Sequence, residues 1–266
     1  MLWRNAGMRV LFALLLILCG PSIAQEVEVD VELFLAVDVS RSMSAEELDI
    51  QRRGYADALM HPEILAAINN GMLGRIAVTY VEWAGDYAQR EVVPWRLLAN
   101  ADDARSIAGQ IAATQTEGLY RTSISSVLLH ASTTFEGNGF NGLRRVIDVS
   151  GDGPNNDGLP VLVARDRIVA EGITINGLPV MAGVGDSIWH LSELDQYYSD
   201  CIIGGPGAFM LAVRGWENFA DAIRRKLILE IAGQAPDAAP ERVYRATSID
   251  CLIGEKILKR MRRRDN

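Results

Sequence analysis

The distribution of apolar and polar positions divides this chain into alternating strand-like and helix-like segments. Residues 31–37 (VELFLAV) read as a buried strand that stops at Asp38. Ser44, with Glu47 three residues on, is a capping box that opens a helix, and Leu48, Tyr55 and Leu59 mark its apolar stripe. Residues 75–83 (RIAVTYVEW) predict the next strand. The short piece 91–95 predicts an edge strand, because Pro94 has no N–H for a ladder. Helices are expected over 101–113 and over 123–135, where Ile124, Val127, Leu128, Ala131 and Phe135 share one face. A central strand follows at 145–149, then a loop at 150–158. Pro160 suits the first turn of a helix running to about Glu171. Further strand material lies at 173–175 and 180–181, around Gly177. A short helix is expected at 188–198, a last strand at 208–213 and an amphipathic helix at 216–231. Strands alternating with helices predict an α/β fold: a doubly wound, mostly parallel sheet with helices on both faces. In such sheets ligands bind beyond the carboxyl ends of the strands, which directs attention to Asp38 and Asp152.

The start of the chain has a different character. Arg4 and Arg9 precede an apolar run over 10–18, and Ser22-Ile23-Ala24 has small residues at its first and third positions. This is the pattern of a secretory signal peptide, and it is too short for a comfortable membrane span. Cleavage is expected after Ala24, giving an exported chain, periplasmic or secreted. The expected organisation is a leader at 1–24, an α/β domain at 25–233 and an extension at 234–266. Loss of Arg4 and Arg9 with the leader moves the formal net charge from −8 to −10, which disfavours nucleic acid as a partner. The exception is the tail, with Lys256, Lys259, Arg260, Arg262, Arg263 and Arg264. It reads either as a solvated helix end or as a docking surface for an acidic partner or anionic lipid, and it is the one place where membrane contact is expected.

The candidate chemistry centres on Asp38-Val39-Ser40-Arg41-Ser42, between a buried strand and a capped helix. Alternate residues of an extended segment share a side, so residues 38, 40 and 42 present a carboxylate and two hydroxyls around one point. Hard oxygen donors of this kind suit Mg²⁺, Ca²⁺ or Mn²⁺. Taken alone, the serines are equally explained as helix caps. Two further pieces join them: Thr122, just before the helix at 123–135, and Asp152, in the run VSGDG after the central strand.

Asp-x-Ser-x-Ser after the first strand, a loop Thr before a middle helix and an Asp-Gly after the central strand, in that order, resemble the von Willebrand factor A-type domain with its metal-ion-dependent adhesion site. The resemblance covers roughly residues 31–231. It implies that Ser40 and Ser42 bind a divalent cation through their hydroxyls, that Thr122 binds it in the ligand-ready state, and that Asp38 and Asp152 act directly or through water. Mg²⁺ is the expected ion, with Ca²⁺ and Mn²⁺ as alternatives. An open coordination position would accept an acidic side chain from a protein partner. The phrases VSGDGPNN (149–156) and CIIGGPGAF (201–209) also resemble a bacterial family of exported proteins of unknown function.

One departure from the wider pattern is Gly151, where the A-domain family often has a Thr; Ser150 or the carboxamides of Asn155 and Asn156 are candidate replacements for its hydroxyl. Asp148, inside an apolar strand, either supports the metal site or pairs with a nearby Arg. The rival reading is a metal-dependent hydrolase or phosphatase of the envelope. Aspartyl-phosphate phosphatases place a second acid two residues after the nucleophile, however, and here Ser40 stands there. His61, His130 and His190 are scattered, and no Ser-His-Asp or Cys-His set is evident, so no catalytic residue is expected. Cys19 would leave with the leader. The remaining Cys201 and Cys251 are expected to form one disulfide in an oxidising compartment, the alternative being two buried thiols.

Overall fold

A computed structural model describes residues 25–115, 117–181, 191–236 and 249–263. The expected leader and the start of the helix expected at 188–198 lie outside these residues. The elements run β1 (Val27–Val29), β2 (Glu32–Asp38), α1 (Ala45–Met60), α2 (Pro62–Asn69), β3 (Ile76–Trp83), β4 (Gln89–Leu98), α3 (Ala101–Ala113) and α4 (Ile124–Thr134). They continue with β5 (Phe140–Gly142), β6 (Arg145–Gly151), α5 (Val161–Ala170), β7 (Thr174–Pro179), α6 (Leu194–Tyr197), α7 (Phe219–Ala232) and α8 (Ile253–Arg262). A single π turn, Tyr198–Ile202, follows α6, and a 3₁₀ turn, Trp216–Asn218, leads into α7.

The main sheet has the order β4-β3-β2-β6-β7, parallel except for β4. β1 and β5 form a small parallel pair of their own. Every residue of β2 is buried, which explains its nearly unbroken apolar run. Leu33, Leu35 and Val37 face a core built with α1, α2, α3 and α7. Phe34 and Ala36 face a second core with α4, α5 and the π turn. The chain moves outward from β2 to β3 on one side and returns to place β6 on the other. The carboxyl ends of β2 and β6 therefore flank the switch point, where a doubly wound sheet opens a crevice.

Several expected elements differ in detail. The edge strand β4 is twice the expected length and antiparallel. Pro94 falls at its irregularity, between the Tyr80–Val93 and Val78–Arg96 pairs, where a missing N–H is tolerated. Strand β7 runs straight through Gly177, whose missing side chain leaves room for the ring of Tyr198. Residues 208–213 form isolated bridges at Met210 and Val213 instead of a strand. The Gly177 N–H donates to the Phe209 carbonyl and the Met181 N–H to the Val213 carbonyl. Pro179, between them on the same edge, has no N–H, so the ladder is interrupted. Pro160 stands at the N-cap of α5, one position before the helix.

Cys201 and Cys251 are joined by a disulfide. It closes a 50-residue separation, for which the chain-entropy model gives about 4 kcal/mol of stabilisation. Among the described residues no helix is long and apolar enough to cross a membrane.

Asp148 pairs with Lys226, where an Arg was one of the expectations. Lys226 Nζ lies 2.5 Å from both Asp148 Oδ1 and Glu230 Oε1, and all three side chains are buried. Asn176 Nδ2 donates to Glu230 Oε1 at 2.9 Å. Burial, then the Asp148 charge, raise the Glu230 carboxyl from 4.5 to about 7, against the pull of Lys226 and Asn176. A carboxyl raised on folding holds its proton longer in the folded state. Its favourable contribution is complete below about 4.5 and is lost as pH rises through about 7. Denaturant titrations should therefore show stability falling across that window, by about 3 kcal/mol at most from this group. Glu230→Gln should flatten the slope, and an unchanged slope in that variant would assign the pH dependence to other groups.

Candidate metal centre

The site is assembled from three loops at the carboxyl end of the sheet. The first leaves β2 at Asp38. Gln51 Nε2 of α1 donates to the Asp38 carbonyl at 2.8 Å, tying the strand end to the helix that follows. The Ser40 N–H donates to Asp38 Oδ1 at 2.7 Å, which folds the turn back and brings residues 38, 40 and 42 together. Ser40 Oγ lies 2.9 Å from Ser42 Oγ, and Ser42 Oγ donates to Asp152 Oδ1 at 2.7 Å. Asp38, Ser40, Ser42 and Asp152 are therefore joined in one hydrogen-bonded series, across a sequence separation of 110 residues between Ser42 and Asp152. The capping box is formed: Ser44 Oγ accepts from the Glu47 N–H and Glu47 Oε2 from the Ser44 N–H.

The second loop carries Thr122. It is sewn to the first by the Arg41 N–H donating to the Leu119 carbonyl and the Leu119 N–H to the Val39 carbonyl, at 2.8 and 2.9 Å. Arg41 lies over the Tyr120 ring, 3.8 Å from its centroid. Arg121 has φ +75°, a left-handed conformation that a long side chain rarely adopts, immediately before Thr122. Thr122 lines the same cavity as Ser40 and Ser42, about 460 Å³ in volume, together with Gly153, Pro154 and Asn156.

The third loop follows β6. Gly151 packs directly on Asp38: a Cβ there would meet Asp38 Oδ2 and the Tyr198 hydroxyl, both at 2.9 Å. The Thr of the wider pattern is replaced by close packing, with a tyrosine hydroxyl brought from the π turn. The expected substitutes for that Thr act elsewhere. Ser150 donates to the Ala36 carbonyl at 3.4 Å. It shares the α1/α7 side of β6 with Asp148, because strand residues alternate, so neither lies on the Asp38 side of the sheet. Asn155 Oδ1 accepts from the Ser125 N–H at 3.0 Å, capping α4, whose own N-cap Ser123 makes no such bond. Asn156 Oδ1 accepts from the Thr122 N–H at 3.0 Å, and the Asn156 N–H donates to the Thr122 carbonyl at 2.8 Å. The two asparagines thus fix the position of Thr122. The Asn-Asn pair was visible in the sequence, but its role was not.

Asp38 is fully buried, and its Oδ2 has no hydrogen-bond partner among the described residues. Burial, then repulsion from Asp152, raise its carboxyl well above the usual range despite the Ser40 N–H. Two carboxylates that repel each other, with a buried oxygen left over and serine hydroxyls between them, are a donor set that fits a divalent cation. Among the described residues no three His, Cys, Asp or Glu side chains converge, so an ion here would be held by carboxylates and hydroxyls together. Ser40, Ser42, Asp38, Asp152 and Thr122 are the residues that would hold it. The ion would supply the missing positive charge.

The fold is that seen in von Willebrand factor A-type domains. The solved structures similar to it include proximal thread matrix protein 1 from the mussel byssus with a zinc-occupied MIDAS motif, at 17% identity and TM-score 0.57, covering 79% of this chain and 49% of that one. The pilus adhesin SpaC from Lactobacillus rhamnosus GG is similar at 14% identity and TM-score 0.55, covering 79% and 30%. A von Willebrand factor type A protein from Catenulispora acidiphila is similar at 14% identity and TM-score 0.52, covering 77% and 43%. This chain spans half or less of the length of each, and at such identities the shared property is the fold. No curated protein matches it. The chain belongs to the family described as "Protein of unknown function (DUF1194)", whose model matches residues 28–235.

Proposed function

We propose that this protein is an exported, divalent-cation-dependent protein-binding module, whose metal is completed by an acidic side chain of the partner. The observation that carries the reading is the convergence of Asp38, Ser40, Ser42 and Asp152 around a buried carboxylate oxygen that has no hydrogen-bond partner among the described residues. Two carboxylates with neutral hydroxyls leave the ion partly uncompensated and one coordination position open, which favours an anionic ligand there. The N-termini of α1 and α4, both beside the site, add positive potential toward that anion. Exposed Tyr120, stacked by Arg41, lines the cavity, and the pair offers the aromatic and arginine contacts on which protein interfaces concentrate their energy. Zinc occupies the MIDAS motif of the mussel protein named above; for this chain Mg²⁺ is the expected ion, and Ca²⁺ and Mn²⁺ are the alternatives. The leader at 1–24 directs export, 25–233 is the binding domain and 234–266 its extension.

Titration calorimetry with Mg²⁺ and Mn²⁺ should show one site per chain. A partner captured from envelope extract should be released by excess chelator and should bind far more weakly after its metal-contacting Asp or Glu is changed to Ala. A partner that stays bound in chelator would make the ion structural and the reading wrong. The hydrolase alternative predicts turnover of a generic phosphate ester; the expected result is none above background.

A further inference from the structure

The described part of the C-terminal extension, residues 249–263, is built onto the third loop of the site. Ile249, Cys251 and Ile253 pack on the core shared by α4 and α5, and the disulfide to Cys201 fixes the start of α8. Gly254 is the one buried residue of that helix. A Cβ on it would overlap the Asn155 carbonyl oxygen and lie 2.8 Å from its carbon and 3.2 Å from Pro154 Cγ. Only glycine permits this approach. Asn155 is held from the same side at two further points. Its Nδ2 donates to Glu255 Oε1 at 2.8 Å, and its N–H donates to the Tyr197 hydroxyl at 3.2 Å, which in turn donates to the Cys251 carbonyl at 3.5 Å.

What the extension holds is the residue that caps α4. Asn155 Oδ1 takes the Ser125 N–H, and the adjoining Asn156 brackets Thr122 through both its carboxamide and its N–H. A continuous path therefore runs from the disulfide through Gly254 and Asn155 to the loop that carries Thr122. We propose that the 249–263 segment is a clamp on the third loop, that Asn155 is the positioning residue through which it acts, and that the clamp sets the geometry of Thr122 at the site. The consequence for metal binding rests on the reading of the site given above. The clamp itself does not.

The test separates the two. Hydrogen exchange is followed in the metal-free full chain for the wild type, Gly254→Val, Asn155→Ala and Glu255→Ala, all with the disulfide intact, and Mn²⁺ affinity is measured in parallel. In Gly254→Val either α8 or Asn155 must shift. The N–H groups of Thr122, Ser125 and Asn156 should then exchange about tenfold faster or more in Gly254→Val and Asn155→Ala, and less so in Glu255→Ala, with β2 and β3 amides unchanged. Mn²⁺ affinity should fall in the same order. Wild-type protection at Thr122, Ser125 and Asn156 in both Gly254→Val and Asn155→Ala would overturn the clamp. A wild type that binds no Mn²⁺ would overturn the metal reading, while the exchange data would still decide the clamp.

Discussion

Asp38→Asn is expected to abolish divalent binding and, at the same time, to raise the melting temperature of the metal-free protein. The two effects have one cause. Asp38 is a carboxylate withdrawn from water, with one oxygen unpartnered among the described residues and Asp152 repelling it. A buried charge without compensation costs several kcal/mol relative to a neutral group of the same shape. Asparagine keeps an oxygen for the Ser40 N–H and removes the charge. A gain of about 1–3 kcal/mol, or roughly 3–8 °C in melting temperature for a domain of this size, should follow in chelator. Excess Mn²⁺ should then raise the melting temperature of the wild type by mass action and leave Asp38→Asn where it was. Asp152→Ala should also lose the ion, with the fold intact, since Asp152 stands in a loop at the crevice. Thermal melts with chelator and with Mn²⁺, paired with calorimetry, read both effects. Wild-type Mn²⁺ affinity in Asp38→Asn would sink the metal assignment.

The second large effect is expected at Lys226. Its ammonium is the shared partner of Asp148 and Glu230 between α7 and β6, with the Phe209 ring 5.5 Å away. Lys226→Met leaves two buried acids facing each other without a cation, and breaking a buried pair in this way typically costs about 3–5 kcal/mol. The triple variant Lys226→Met, Asp148→Asn, Glu230→Gln should recover most of the loss, because no uncompensated charge remains. Urea denaturation of the single and triple variants gives the comparison. A loss under about 1 kcal/mol in the single variant would show that the ion pair is not what holds α7 to the sheet. Folded Lys226→Met should still bind metal, since Asp148 is on the other side of the sheet from Asp38.

The sequence by itself determined the features whose causes are local. The continuous apolar run of β2 reports burial on both faces, Ser44 and Glu47 report a helix start, and Asp38-x-Ser40-x-Ser42 reports a turn lined with oxygens. Each is set by neighbours within a few residues, so periodicity and spacing carry it. The pairing of Cys201 with Cys251 was also legible, because two cysteines allow only one bridge. Tertiary structure decided the rest. Asp148 was visible as a charge in an apolar strand, but its partner Lys226 lies 78 positions on and has no local signature. Asn155, Asn156 and Ser150 could each have turned toward the candidate site as substitutes for the missing hydroxyl; strand alternation and the approach of α4 gave them other partners. The strand expected at 208–213 was reduced to bridges by a proline on the strand beside it. Gly254 is an ordinary helix glycine in sequence, and its meaning comes from a carbonyl about 100 residues away that leaves no room for a side chain. Local pattern fixes which groups face inward; which of them meet depends on contacts between distant segments, and those depend on the packing of the whole sheet.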